Sequence, residues 1–191
     1  MKYTLLSFYF LSVSLLSVTV ANGQSLKSLD DNNGFKKHKL GSKFVIGQGV
    51  KARDPEGSDK VNVGYVNESI GDIPVKAIEL YYAKDTLGKI IVRISPEHYE
   101  RLLNALKGAF GQPTQNFTSN DKVNRDSSAS VNFYKDDFQW KTNRLRLNYV
   151  YAYPKTAGAY GIRELYLVYA LNDYGQRLNR AKVGASSAKN F

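Results

Sequence analysis

The chain reads as an α+β protein: a mostly antiparallel sheet of about six to seven strands with one amphipathic helix, residues 96–110, packed on one face. Three observations carry that expectation. Apolar residues recur at every second position in several short segments, which places them on one face of a strand. One segment alone switches to helical spacing and carries clear start and stop signals. The order is strands, helix, then more strands, without the regular alternation of strand and helix that a parallel sheet requires.

Taken in order, Phe44-Val45-Ile46 is a short first strand, and Asp54-Pro55-Glu56-Gly57-Ser58-Asp59 is a loop. Val61, Val63 and Tyr65 alternate with Asn62, Gly64 and Val66. Ile78, Leu80 and Tyr82 alternate with Ala77, Glu79 and Tyr81, and Ile90, Val92 and Ile94 with Ile91, Arg93 and Ser95. Lys84 to Lys89, with Asp85 and Gly88, connects the last two as a hairpin. Ser95 is placed to cap the helix, Pro96 suits its first turn, and Glu97 and Glu100 favour its positive end. Tyr99, Leu102, Leu103, Leu106 and Phe110 form its apolar stripe, and Gly108, Gly111 and Pro113 end it. Ser119 to Ser130 is polar and reads as a mobile loop. Val131–Tyr134 and Asp137–Lys141 form a hairpin or one bent strand. Leu145, Leu147, Tyr149, Tyr151 and Tyr153 mark the clearest strand. A turn over Pro154–Gly161 leads to a strand over Ile162–Leu171, and Asn172–Lys182 is a short helix.

The front of the chain has the parts of an export signal. Lys2 is followed by no charged residue until Lys27, and Leu5 to Val20 is predominantly apolar. Small residues favour a cut before Gln24 or after Ala21. An uncleaved anchor is the competing reading, weakened by the four serines in the run and the weak basic flank. The expected organisation is a signal peptide at 1–23, a polar leader at 24–42, one domain at 43–180 and a flexible tail at 181–191. A membrane β-barrel is disfavoured by the helix that interrupts it and by the small number of good strands.

Composition narrows the chemistry. The 191 residues contain no cysteine and two histidines, which excludes disulfides, a Cys nucleophile and Cys-held metals. Basic residues number 27 against 17 acidic ones, a net charge of +10. Loss of residues 1–23 removes only Lys2, so the charge stays strongly positive. Outside the cytoplasm such a surface meets anionic glycans and lipid headgroups rather than a specific nucleic acid. An exported chain without cysteine suits a bacterial envelope, periplasmic or extracellular. The acidic runs at Asp30 and Asp54 do not keep the calcium-loop register, Gly47-Gln48-Gly49 lacks the phosphate-loop context, and neither His38 nor His98 has a ligand-spaced partner. No metal or cofactor is therefore expected. His38 lies among Lys36, Lys37 and Lys39, whose charges disfavour its protonated form.

The remaining signal is basic and aromatic. Trp140, Lys141, Arg144, Arg146 and Tyr166 lie on the two strong C-terminal strands and their entry, and they are the candidate ligand-binding residues. Arg144 and Arg146 share a face opposite the Leu/Tyr row, where a glycan or phosphate would find donors and rings; a solvated face with buried Tyr rows is the bland alternative. The run from Ile78 to Pro113, ending in Gly111-Gln112-Pro113, resembles small exported α+β domains of the outer-membrane-assembly and β-lactamase-inhibitor type, in which a Gly-x-Pro follows a helix. Strands precede the helix here, whereas helices come first there, so no residue role is carried over. The expected function is non-enzymatic binding of an anionic glycan, a lipid headgroup or another envelope protein. The rivals are a hydrolase of envelope polymers and an assembly protein that pairs through a sheet edge.

Overall fold

The structure, a computed structural model, describes residues 26–45, 51–53, 58–63, 67–125, 129–155 and 163–187. The export signal, the Gly47-Gln48-Gly49 turn, Tyr65, most of the Asp54 loop and most of the Pro154–Gly161 turn lie outside these residues. Seven described strands precede the central helix and four follow it, the segregated order of an α+β protein. They are β1 (Gly34–Phe35), β2 (His38–Lys39), β3 (Lys51–Arg53), β4 (Asp59–Val63), β5 (Ser69–Ile70), β6 (Ile73–Ala83), β7 (Thr86–Ile94), β8 (Gln115–Arg125), β9 (Ala129–Lys141), β10 (Leu145–Pro154) and β11 (Glu164–Leu171). The helices are α1 (26–32), α2 (Tyr99–Phe110) and α3 (Tyr174–Ser187).

The main sheet is antiparallel, in the order β3-β4-β6-β7-β11-β10-β9-β8, with β5 pairing β6 off that path. β6 and β7 form a hairpin whose two turn residues, Lys84 and Asp85, both have positive φ. That is the type I′ arrangement, whose twist matches the flanking strands. From β7 the chain passes through α2 to the far edge of the sheet. It then meanders back through β8, β9 and β10 until β11 pairs with β7. Two non-adjacent stretches of sequence thus meet at the centre of the sheet.

Period-two patterning sorts the two faces. Ile78 and Leu80, Ile90 and Val92, Leu165 and Leu167, and Leu145, Leu147 and Tyr149 share one buried face through their cross-strand registers. Leu102 and Leu106 of α2 are buried with them in one core. Gly111 ends α2 with φ 76°, its N–H bonded to the Lys107 carbonyl. Ser95 makes no side-chain cap; it precedes the short 3₁₀ turn Pro96–His98, and its carbonyl accepts the His98 N–H at 3.1 Å.

Three expectations about boundaries are corrected. The polar leader is part of the fold: Leu29, Phe35 and Leu40 are all buried in the core. Asn33, with φ 46°, ends α1, its N–H bonded to the Leu29 carbonyl at 3.1 Å and its side-chain amide donating to the Leu40 carbonyl at 2.9 Å. The turn-rich composition marks a helix end and a tight hairpin there. His38 in β2 is buried, and its pKa is lowered chiefly by that burial and secondly by Lys37. The expected loop at 119–130 is instead the β8–β9 ribbon, and Val131 to Lys141 belongs to one continuous strand. Between Ser119 and Arg125 the sequence has one apolar residue, Val123, so no apolar alternation announces β8 there. Finally, α3 runs to Ser187, beyond the expected end of the domain at 180.

α3 packs against the β6–β7 end of the sheet through Tyr174 and Leu178, both buried. A Cβ on Gly88 would lie 2.1 Å from the Tyr174 ring, so only glycine allows this approach. Gly88 sits where the β6–β7 register shifts, between the pairs Tyr81↔Lys89 and Tyr82↔Leu87.

Candidate functional site

The five residues singled out in the sequence do not form one site. Trp140 is 0% exposed, on the α2 side of the sheet, and its indole N–H donates to the Gly111 carbonyl at 2.9 Å. It is a core residue that holds the helix end against β9. Its parity with Phe138 and its register opposite Leu147 put it there. Lys141 and Arg146 face each other directly across β9 and β10, on the opposite face of the sheet. Arg144 is exposed in the turn before β10 and lines a shallow cleft with Asp173 and Arg177. Tyr166 lies further along the same face as Arg146, opposite Arg93, whose guanidinium stands 5.8 Å from the Tyr166 ring centre.

That second face is a mixture of both charge signs. Glu79 is 7% exposed and accepts from Arg93 Nε at 2.6 Å and from the Tyr81 hydroxyl at 2.7 Å, with Lys60 Nζ at 3.0 Å. Burial alone would raise its pKa, but the hydrogen bonds, that of Arg93 foremost, outweigh it and hold the carboxyl at about 2. Nearby carboxylates thus occupy part of the basic groups; Glu164 stands 4.0 Å from Arg93, and Asp137 is 3.9 Å from Lys135.

A larger concavity lies on the other face, beside α2. The helix crosses the sheet and divides that face into two clefts. One, of about 560 Å³, lies between Tyr99, Glu100 and Leu103 of the helix and Phe138, Tyr149, Tyr151 and Tyr153 of the sheet, with Asp136 and Arg163 at its margins. Period-two spacing points Tyr149, Tyr151 and Tyr153 the same way, and Tyr99 reaches down from the first turn of α2. Tyr99 stacks on Tyr151 with centroids 4.9 Å apart and planes 11° from parallel. Tyr151 stacks on Tyr153 at 5.1 Å, and Tyr153 lies 5.6 Å from Tyr134. Four rings thus continue from the helix onto the sheet.

Two hydroxyls of the cleft, those of Tyr149 and Tyr99, are tethered. Tyr149 donates to the Tyr99 carbonyl at 2.8 Å, and Tyr99 donates to Glu100 Oε1 at 2.8 Å. Burial, followed by the nearby Tyr151 and Asp136, pushes the Tyr149 phenol well above its ordinary pKa. The bond to Glu100 raises that of Tyr99, and burial followed by Asp136 raises that of Tyr153. These phenols remain protonated donors at neutral pH. Glu100 comes from the helix and Asp136 from β9, so carboxylates approach the cleft from two elements. Among the described residues, no group of three or more His, Asp or Glu side chains could hold a metal ion, and no helix is long and apolar enough to cross a membrane.

Sequence reasoning assigned the tyrosines to the core row and Tyr99 to the helix stripe. The available signal was the change from Leu145 and Leu147 to Tyr149, Tyr151 and Tyr153 along one face of a strand, since each added hydroxyl needs a polar partner. Compared with known proteins, the chain matches no family model, no curated protein and no solved structure.

Proposed function

We propose that this protein is an exported, non-enzymatic binding domain whose tyrosine cleft holds a glycan. The ring row Tyr99–Tyr151–Tyr153–Tyr134 beside Glu100, Asp136 and Arg163 carries the reading. A sugar ring offers apolar C–H surface and a rim of hydroxyls. A cleft with aromatic walls and a few polar groups at its margins complements both. The apolar leader after Lys2 supports delivery across a membrane, to the periplasm or beyond, in a bacterium. The surplus of basic residues favours encounter with anionic polymers there.

The test is calorimetric titration of the purified protein with chito-, cello- and uronic-acid oligosaccharides and with peptidoglycan fragments. Saturable binding to one class is expected, weakened about tenfold, or about 1.4 kcal/mol, by Tyr99→Ala and by Glu100→Gln. Absence of binding across the panel, or equal affinity in both variants, would overturn the assignment. The carboxylates supplied from α2 and β9 favour a glycoside hydrolase as the second reading. In that case the bound oligosaccharide would be shortened, and Glu100→Gln or Asp136→Asn would stop turnover while binding persisted.

A further inference from the structure

The cleft on the other side of α2 differs in chemistry. We propose that it is a second binding site, for a single-chain fatty carboxylate. It has a volume of about 360 Å³ and lies between α2 and the folded segment that carries α1 and β1. Its apolar lining is Leu29, Phe35, Ile70, Leu106, Phe110 and Tyr169. Leu29, Phe35, Leu106 and Tyr169 are buried core residues, with the Phe35 and Tyr169 rings 6.0 Å apart. On the helix side Ala105 and Ala109 line it beside Leu106 and Phe110, and their short side chains leave space there. An acyl chain gains about 0.8 kcal/mol for each methylene it buries against such a lining.

The rim selects the head group. Lys36 and Lys39 line the cleft, and no carboxylate does. Lys39 Nζ donates to the Asn32 carbonyl at 2.7 Å, which fixes its ammonium beside the end of α1. Lys36 occupies the tight β1–β2 turn with φ 52°. An apolar trough with two ammonium groups at its margin fits a chain that is apolar along its length and anionic at one end. The volume lies near the lower limit for small-molecule sites, which suits one chain rather than a two-chain lipid.

The experiment is calorimetric titration of the purified protein with decanoate, with decanol, and with vesicles of anionic phospholipid. Decanoate is expected to saturate one site and to bind about tenfold tighter than decanol, since the chains are alike and only the charge differs. Ala109→Trp, at an exposed helix position, fills the trough and should weaken decanoate about tenfold or more without lowering the thermal midpoint. Lys36→Gln combined with Lys39→Gln should bring decanoate down to the affinity of decanol. Tyr99→Ala, in the other cleft, should leave decanoate binding intact, so this site stands or falls separately from the glycan reading. No saturable decanoate binding, unchanged affinity in Ala109→Trp, equal affinity for acid and alcohol, or binding to vesicles alone would each overturn the proposal.

Discussion

Arg93 and Glu79 meet diagonally across β7 and β6, Nε 2.6 Å from Oε1, on the face of the sheet opposite α2. With Lys60 and Tyr81 they make a bonded charge cluster. The folded carboxyl titrates at about 2 against an ordinary 4.5. Its contribution is therefore complete above pH 4.5 and disappears as pH falls toward 2. At neutral pH it amounts to about 3 kcal/mol. Urea unfolding of the native protein and Glu79→Gln across this range should show the native protein losing more stability on the acid side. His38, whose folded pKa is also lowered, adds a loss below pH 6.5 in both proteins, so the difference between them isolates Glu79. Parallel pH profiles would contradict the assignment.

Arg93→Ala leaves the Glu79 carboxylate buried with only Lys60 and Tyr81. The expected loss at neutral pH is about 3 kcal/mol, larger than for a surface ion pair. Combining it with Glu79→Gln should give less than the sum of the two losses in a double-mutant cycle. Additive effects would show that the pair is not coupled.

Gly88→Ala places a methyl group against the buried Tyr174 ring. It should destabilise the protein by about 1–3 kcal/mol through overpacking. Pairing it with Tyr174→Leu, which removes the ring, should recover part of that loss. A neutral Gly88→Ala would mean that α3 does not dock there.

Leu29 tests whether the segment before Phe44 belongs to the domain. Leu29→Ala should cost about 2–5 kcal/mol, as in other cores, where a dispensable leader would show no change. The thermal midpoint is the readout.

The single tryptophan provides a spectroscopic check. With Trp140 fully buried, its emission should be blue-shifted and poorly quenched by acrylamide. Trp140→Phe loses the bond to the Gly111 carbonyl and should destabilise by about 1–3 kcal/mol. Strong quenching by acrylamide would return Trp140 to the surface.

Much of the architecture was legible because it is local. Alternation in Leu145–Tyr153 and Ile90–Ile94, and the spacing of Leu102 and Leu106, each depend on a few consecutive residues facing one environment. Over Ser119–Arg125, β8 carries no such alternation, and its pairing with β9 is made by backbone groups that every residue has. The segment around Leu29, Phe35 and Leu40 shows isolated apolar residues with no repeat, so its docking escaped notice. Parity divides the candidate binding set between the two faces of the sheet. Trp140 and Lys141 are neighbours in the chain and therefore point to opposite faces of a strand.

Composition and periodicity alone establish the basic, cysteine-free character of the chain, the alternating strands and the one strongly amphipathic helix. The folded chain determines which distant rows meet: Tyr99 with Tyr151, Arg93 with Glu79, and Leu29 with the central core. The physical reason is that side-chain direction along a strand repeats every two residues, whereas contact between elements depends on strand order and register. Those are set only when β11 returns to pair with β7 and α2 settles across the sheet, leaving one cleft of tyrosines and another of aliphatic residues and lysines.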